Sequence, residues 1–254
     1  MTRQNKYFDN KVCWISGGGS GIGASLARQA AALGSRVIIS GRNDNKLKET
    51  AKGYENIDTI PFDVSCRDQW QSALEKVSKK YGKIDIIIFN AGICEYVDLP
   101  EFDSKKFKRV MDINFFGIVY GVELCLPLLR KSNSAHIAAV SSSVASLPLP
   151  TAEAYGSSKA AASYLMNSLR LDLFKEKIAV SVILPGFVST PLTDKNDFPM
   201  PFTVSSETAA TRIIKGLSSQ KKEIYFPGPF TWPLRFLAIL PVAIQQLFTK
   251  RTVR

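Results

Sequence analysis

With 254 residues, 45% of them hydrophobic and 22% charged, the chain has the size and composition of one folded globular domain, which excludes a disordered or fibrous protein. Its four cysteines (Cys13, Cys66, Cys94, Cys125) share no metal-ligand spacing and His136 is the one histidine. A disulfide framework, a metal site and a Ser-His-Asp triad are therefore not expected. The net charge of +11 comes from scattered Lys and Arg with no basic-aromatic motif, which argues against a nucleic-acid partner. It leaves two readings open: a solvated basic surface, or attraction to an anionic cofactor or membrane face.

The opening residues, MTRQNKYFDNK, are polar and hold no apolar targeting core, which predicts a cytoplasmic protein. Residues 11–16 (KVCWIS) read as a strand, followed by a glycine-rich turn and a helix over 22–33. Further strands are predicted at 36–40, 57–62, 84–89, 135–140 and 178–184, with helical stretches at 45–52, 67–81, 104–130 and 154–174. Such alternation predicts a single-domain α/β fold: a Rossmann-like doubly wound parallel sheet with helices on both faces. The strands are apolar almost throughout, as burial on both sides demands. His136 and Asp85, beside strands, read as structural. From residue 185 the texture changes: four prolines in 185–204 and three more at 227, 229 and 233 predict loop, without regular helix or interior strand. The domain is expected over 1–225, with a tail at 226–254.

Ser16, Gly17, Gly19, Ser20, Gly21, Ile22 and Gly23 lie between the first strand and the first helix. Glycines there let the backbone approach a pyrophosphate, which is held by the free N–H groups of the helix N-terminus. The second strand ends in Ser40-Gly41-Arg42 with no carboxylate before Asp44. An acidic residue at that point would repel a 2′-phosphate, whereas the Arg42 fork suits one, so NADP(H) is expected over NAD(H). The alternative is that Arg42 is simply a solvated loop residue.

Tyr155 and Lys159 are four apart in an amphipathic helical stretch and share one face. An ammonium beside a phenol favours phenolate, which predicts a lowered pKa for Tyr155. Ser142 follows the fifth predicted strand and can polarise a carbonyl oxygen, although Ser141 and Ser143 flank it and the run also reads as a cap. Asp63-Val64 follow the third strand, Asn90-Ala91-Gly92 the fourth, and Pro185, Gly186, Val188 and Thr190 the sixth. Asn114 falls within the longest helical stretch.

These motifs, running from Ser16 to Thr190, resemble those of the short-chain dehydrogenase/reductase family in its shorter single-domain branch. Ser16 stands where that family carries Thr, and Phe89 where it more often carries Asn. The resemblance implies a hydride transfer between nicotinamide and a carbonyl/alcohol pair. It assigns Asn114, Ser142, Tyr155 and Lys159 to catalysis. Tyr155 would protonate the alkoxide, Lys159 would also hold the nicotinamide ribose, and Asn114 would anchor a water chain. Asp63 and Val64 would lie beside adenine, and Pro185, Gly186, Val188 and Thr190 along the nicotinamide. It also implies a homodimer or homotetramer through the helices at 104–130 and 154–174. An NADP(H)-sensing protein without turnover and a non-redox isomerase or dehydratase are the competing functions.

Residues 191–206 (PLTDKNDFPMPFTVSS) fall where the family places its substrate loop. There Phe198, Met200 and Phe202 either cover an apolar substrate or pack on the protein. The tail carries apolar runs broken at Pro241 and edged by Arg235, Lys250, Arg251 and Arg254, too short to span a membrane. It predicts either docking on its own domain or a partner subunit, or a peripheral membrane contact. A lipophilic carbonyl or alcohol is the expected substrate.

Overall fold

The computed structural model describes residues 2–97, 99, 101–194 and 196–249. Lys250, Arg251 and Arg254, named above as edges of the tail, lie outside the described residues. In chain order the elements are α1 (Arg3–Phe8), β1 (Val12–Ser16), α2 (Gly21–Ala32), β2 (Arg36–Gly41), α3 (Asp44–Ala51), β3 (Ile57–Pro61) and α4 (Arg67–Tyr81). Next come β4 (Ile86–Phe89), α5 (Ser104–Met111), a widened π-helical turn (Asp112–Phe116), α6 (Gly117–Leu129), β5 (His136–Val140) and a 3-10 turn (Ser143–Ala145). The chain continues through α7 (Glu153–Asp172), β6 (Ala179–Pro185), β7 (Val188–Ser189), β8 (Val204–Ser205), α8 (Ser206–Ser218), β9 (Glu223–Phe226), α9 (Gly228–Ala238) and α10 (Val242–Thr249).

Seven parallel strands form one sheet in the order β3-β2-β1-β4-β5-β6-β9. Alternate residues of β1 point to opposite faces. Trp14 joins Trp70 of α4, Cys125 of α6 and Met166 of α7 in one core cluster. Cys13 and Ile15 join Leu26 of α2 and Ile213 and Leu217 of α8 in the other. Helices therefore cover both faces, as the alternating pattern predicts. The chain order reverses between β1 and β4, and this switch point opens a crevice at the carboxyl ends of the strands.

Buried polar groups near the far end of the sheet are tied into the fold. Asp85 accepts the Val12 N–H at 2.9 Å and pairs with Lys83 at 3.1 Å. His136 lies fully buried between Tyr7 of α1 (2.5 Å) and Ser181 of β6 (2.7 Å), and burial pushes its pKa down to about 4. Both are structural, as read from the sequence.

The helix expected at 104–130 runs from Ser104 to Leu129 and widens into a π-helical turn at residues 112–116, around the buried Asn114. Between the two proline-rich segments, α8 and β9 are regular elements that no expectation named; β9 forms the sheet edge. One expectation needs correction: prolines 229 and 233 lie inside a helix rather than a loop. Pro229 occupies the first turn of α9, where no intrahelical N–H is needed, and both prolines are exposed, so the carbonyl that Pro233 leaves unpaired lies near solvent.

Candidate functional site

A cleft of about 350 Å³ runs along the switch point from Arg42 to Tyr155. At its floor the β1–α2 turn makes two close approaches that only glycine permits. Gly17 has φ +71°, and a Cβ there would lie 2.7 Å from the Ala91 backbone. A Cβ on Gly23 would sit 2.2 Å from the Gly17 carbonyl oxygen. The N-cap of α2, Ser20, makes no side-chain capping bond, and the first turn holds no acidic residue. The positive helix end thus faces the cleft without a protein anion, which fits a pyrophosphate.

Of the residues singled out in this turn, Gly17, Gly19, Ser20, Gly21 and Ile22 line the cleft, whereas Ser16 and Gly23 support it from behind. The buried Ser16 hydroxyl accepts the N–H groups of Asn90 (3.1 Å) and Ala91 (3.2 Å). The Asn90 side-chain amide donates to the carbonyls of Ser16 (3.2 Å) and Gly17 (3.0 Å). These bonds clamp the turns after β1 and β4 together. Asn90, Ala91 and Gly92 also line the cleft.

At the far end Arg42 extends from β2, its side chain largely exposed, 3.9 Å from the Asp63 carboxylate. Asp63 also accepts from the backbone and hydroxyl of Ser65. Val64 lines the cleft beside it. Lys46, on the first turn of α3, shares this end and was not anticipated. Its position three residues past the N-cap Asn43 is the sequence signal that points to it. Two cations and one carboxylate make this end net positive, suited to a phosphate.

At the other end α7 places Tyr155 in its first turn and Lys159 one turn on. The Lys159 ammonium donates to the Val140 carbonyl at 2.8 Å and lies 5.7 Å from the Tyr155 ring centre. The Ser142 hydroxyl lies near the Tyr155 phenol and accepts the Val144 N–H at 3.3 Å. Ser141 is turned instead toward α7, bonding the Lys159 carbonyl and Ser163, which distinguishes Ser142 within the serine run. Asn114 does not line the cleft. Its side chain accepts the Ile93 N–H (2.8 Å) and donates to the Ile93 carbonyl (2.9 Å) and the Ser158 hydroxyl (3.0 Å). Pro185, Gly186, Val188 and Thr190 close the wall opposite.

The electrostatics depart from the expectation in one respect. Burial raises the Tyr155 phenol above its usual value, the nearby Cys94 adds to this, and the neighbouring Ser142 hydroxyl opposes it. Burial also lowers the Lys159 ammonium to about 8. Desolvation therefore outweighs the attraction of ammonium for phenolate that the four-residue spacing implied. Cys94, half-buried and close to both groups, was not singled out by any motif.

An aromatic row leads away from this end. Tyr96 meets Phe198 (5.9 Å between ring centres), Phe198 meets Phe187 (6.0 Å), and Phe187 meets Phe230 of α9 (5.0 Å). Among the described residues no cluster of His, Cys, Asp and Glu is arranged to hold a metal.

A family model described as short chain dehydrogenase matches residues 11–199. The chain is 33% identical over 246 residues to 11-beta-hydroxysteroid dehydrogenase-like 3 of Arabidopsis thaliana, covering 91% of this chain and 78% of that one. It is 29% identical to an uncharacterized oxidoreductase of Myxococcus xanthus, covering 91% and 93%. Among solved structures, the Pseudomonas aeruginosa RhlG/NADP active-site complex superposes with a TM-score of 0.81 at 26% identity, covering 89% of this chain and 98% of that one. A Burkholderia phymatum short chain dehydrogenase/reductase in complex with NAD superposes at 0.83 with 24% identity, covering 90% and 93%.

Proposed function

The chain belongs to the short-chain dehydrogenase family of oxidoreductases, and from that premise we propose that it is an NADP(H)-dependent reductase of a lipophilic ketone. The observation that carries the reading is one cleft with an uncapped helix N-terminus on its floor, Arg42 and Lys46 at one end, and Ser142, Tyr155 and Lys159 at the other. Gly17, Gly19, Ser20, Gly21 and Ile22 would hold the pyrophosphate, and Arg42 and Lys46 the 2′-phosphate. Asp63 and Val64 would flank adenine. Asn90, Ala91, Gly92, Pro185, Gly186, Val188 and Thr190 would enclose the nicotinamide half. Bound there, NADPH supplies a hydride.

The protein's part is the proton. Burial keeps Tyr155 a phenol at neutral pH, the form that donates to a developing alkoxide. Ser142 adds a second hydroxyl toward the same oxygen. Lys159 then faces the phenolate left behind and favours it. Asn114, fixed by Ile93 and Ser158, holds the backbone that borders Lys159: a Cβ on Gly92 would lie 3.1 Å from its Oδ1 and 3.3 Å from the lysine Nζ. The aromatic row Tyr96–Phe198–Phe187–Phe230 supports an apolar substrate. The exposed Tyr164 and Leu171 of α7, with Phe174 just past its end, support pairing of two copies through α6 and α7.

Calorimetry with NADPH and NADH, followed by cofactor consumption against long-chain, steroid and small ketones, tests the reading. NADPH is expected to bind more tightly, with turnover of an apolar class. Tight binding without turnover across the panel would move the assignment to a sensor, and tighter NADH binding would overturn the cofactor.

A further inference from the structure

The C-terminal helices leave their apolar side chains outside the domain. Trp232 and Phe236 of α9 and Ile239 at its C-cap recur at the spacing of one helix face and are 69%, 64% and 79% exposed. Thr231 is the sole buried residue of α9, and α10 buries none, while its Leu247 and Phe248 are 67% and 56% exposed. The two helices nonetheless hold a fixed relation. The Gln245 side-chain amide donates to the carbonyls of Ala238 (3.2 Å) and Leu240 (2.8 Å), joining α10 to the end of α9. Arg235 pins α9 to the domain by stacking over Tyr225 at 4.0 Å and pairing with Glu223 at 3.8 Å. The pair is thus a docked hairpin whose outer face the domain leaves bare.

Two occupants fit such a face: a second copy of the chain or a lipid surface. Charge decides between them. Residues 226–254 hold four cations (Arg235, Lys250, Arg251, Arg254) and no carboxylate. With Arg235 paired to Glu223, each tail carries three further cations and no carboxylate, so a symmetric contact between two tails brings no opposite charge to either. An anionic bilayer complements them, and accepts Trp232 and the phenylalanines at the boundary of headgroup and acyl chain. Spanning is excluded by length: α9 has 11 residues and α10 has 8. The segment 104–129 is the one described helix long and apolar enough to cross a membrane, and α6 within it packs in the sheet core.

We propose that α9 and α10 form a monotopic membrane-contact face that lies on an anionic lipid surface. The same helix that would touch lipid also reaches the cleft: Phe230 packs against Phe187 and would meet a Cβ on Gly186 at 2.5 Å. Lipid beneath α9 therefore lies beside the aromatic row, and an apolar carbonyl compound dissolved in it has a short path to the site. This last step rests on the reductase reading; the lipid contact does not.

The chain carries a suitable reporter. Of its three tryptophans, Trp14 and Trp70 are fully buried and Trp232 is exposed. Full-length protein is mixed with phosphatidylcholine vesicles, with or without phosphatidylserine, made with ordinary or brominated acyl chains. The expected result is a blue-shifted emission, quenched by the brominated chains, with binding about tenfold stronger on phosphatidylserine vesicles and weakened by salt. Flotation with a Phe236→Ser, Leu247→Ser, Phe248→Ser variant should show a loss of about tenfold or more, with sedimentation velocity unchanged. No quenching and no flotation of the wild-type chain would overturn the proposal. So would a variant that floats undiminished, or one that changes oligomeric state while neither protein binds lipid, which would give the face to a second copy. None of these readouts involves turnover, so they stand apart from the fate of the reductase reading.

Discussion

Helices α2 and α10 treat the same kind of side chain in opposite ways. Leu26 of α2 is fully buried against the sheet, among alanines spaced to let the helix approach closely, while Leu247 of α10 is two-thirds exposed. Around α2 the polar groups are equally committed: Ser16, Asn90 and Ala91 are hydrogen-bonded into one clamp. The difference separates two uses of hydrophobicity in one chain. The β1–β6 unit spends it on a rigid frame that fixes the cleft; the C-terminal pair holds it outward for something else.

Paired substitutions test that contrast, the largest effect first. Leu26→Ala should cost about 2–5 kcal/mol of unfolding free energy in urea, since it leaves a cavity that the packed sheet cannot fill. A cost below about 1 kcal/mol would mean that the frame is looser than the burial implies.

The interior of the frame makes the next prediction. Burial holds His136 near 4 in the native chain, against 6.5 in the unfolded one. Between those values the unfolded chain binds a proton that the native chain does not. Stability therefore rises with pH across this window and is lost as pH falls through it, by about 3 kcal/mol in all. The loss is read as the difference in pH slope between the wild-type chain and His136→Gln; equal slopes would contradict it.

At the cleft, Arg42→Asp should weaken NADPH about tenfold or more while leaving NADH nearly unchanged, by calorimetry. Equal weakening of both would remove Arg42 from cofactor choice. The smallest effect is on the other side of the comparison: Leu247→Ala should change unfolding free energy by no more than about 0.5 kcal/mol. A large cost would show that α10 belongs to the frame.

The same contrast explains what the sequence disclosed. Strands β1 to β6 were legible from their apolar runs, the glycine turn because close backbone approach demands glycine, and the remaining cleft residues through their resemblance to the motifs of a known family. Helix α8 carries an equally clear stripe, Ala209, Ala210, Ile213, Ile214 and Leu217, but lies between two proline-rich segments whose loop signals dominate that part of the sequence. The prolines of α9 misled for a related reason, since their cost depends on which carbonyls face solvent, a tertiary fact. The widened turn at Asn114 left no mark in the pattern. Nor did the direction of the Tyr155 shift, because spacing reveals the neighbouring ammonium and not the burial that outweighs it.

The central claim is that Tyr155 is the proton donor in an NADP(H)-binding cleft. It is tested most directly by following nicotinamide absorbance in a single turnover, with the wild-type chain and Tyr155→Phe saturated with NADPH and the preferred ketone. The account predicts unchanged NADPH affinity and a rate lowered by about 10²–10⁴. An undiminished rate in the variant would contradict it.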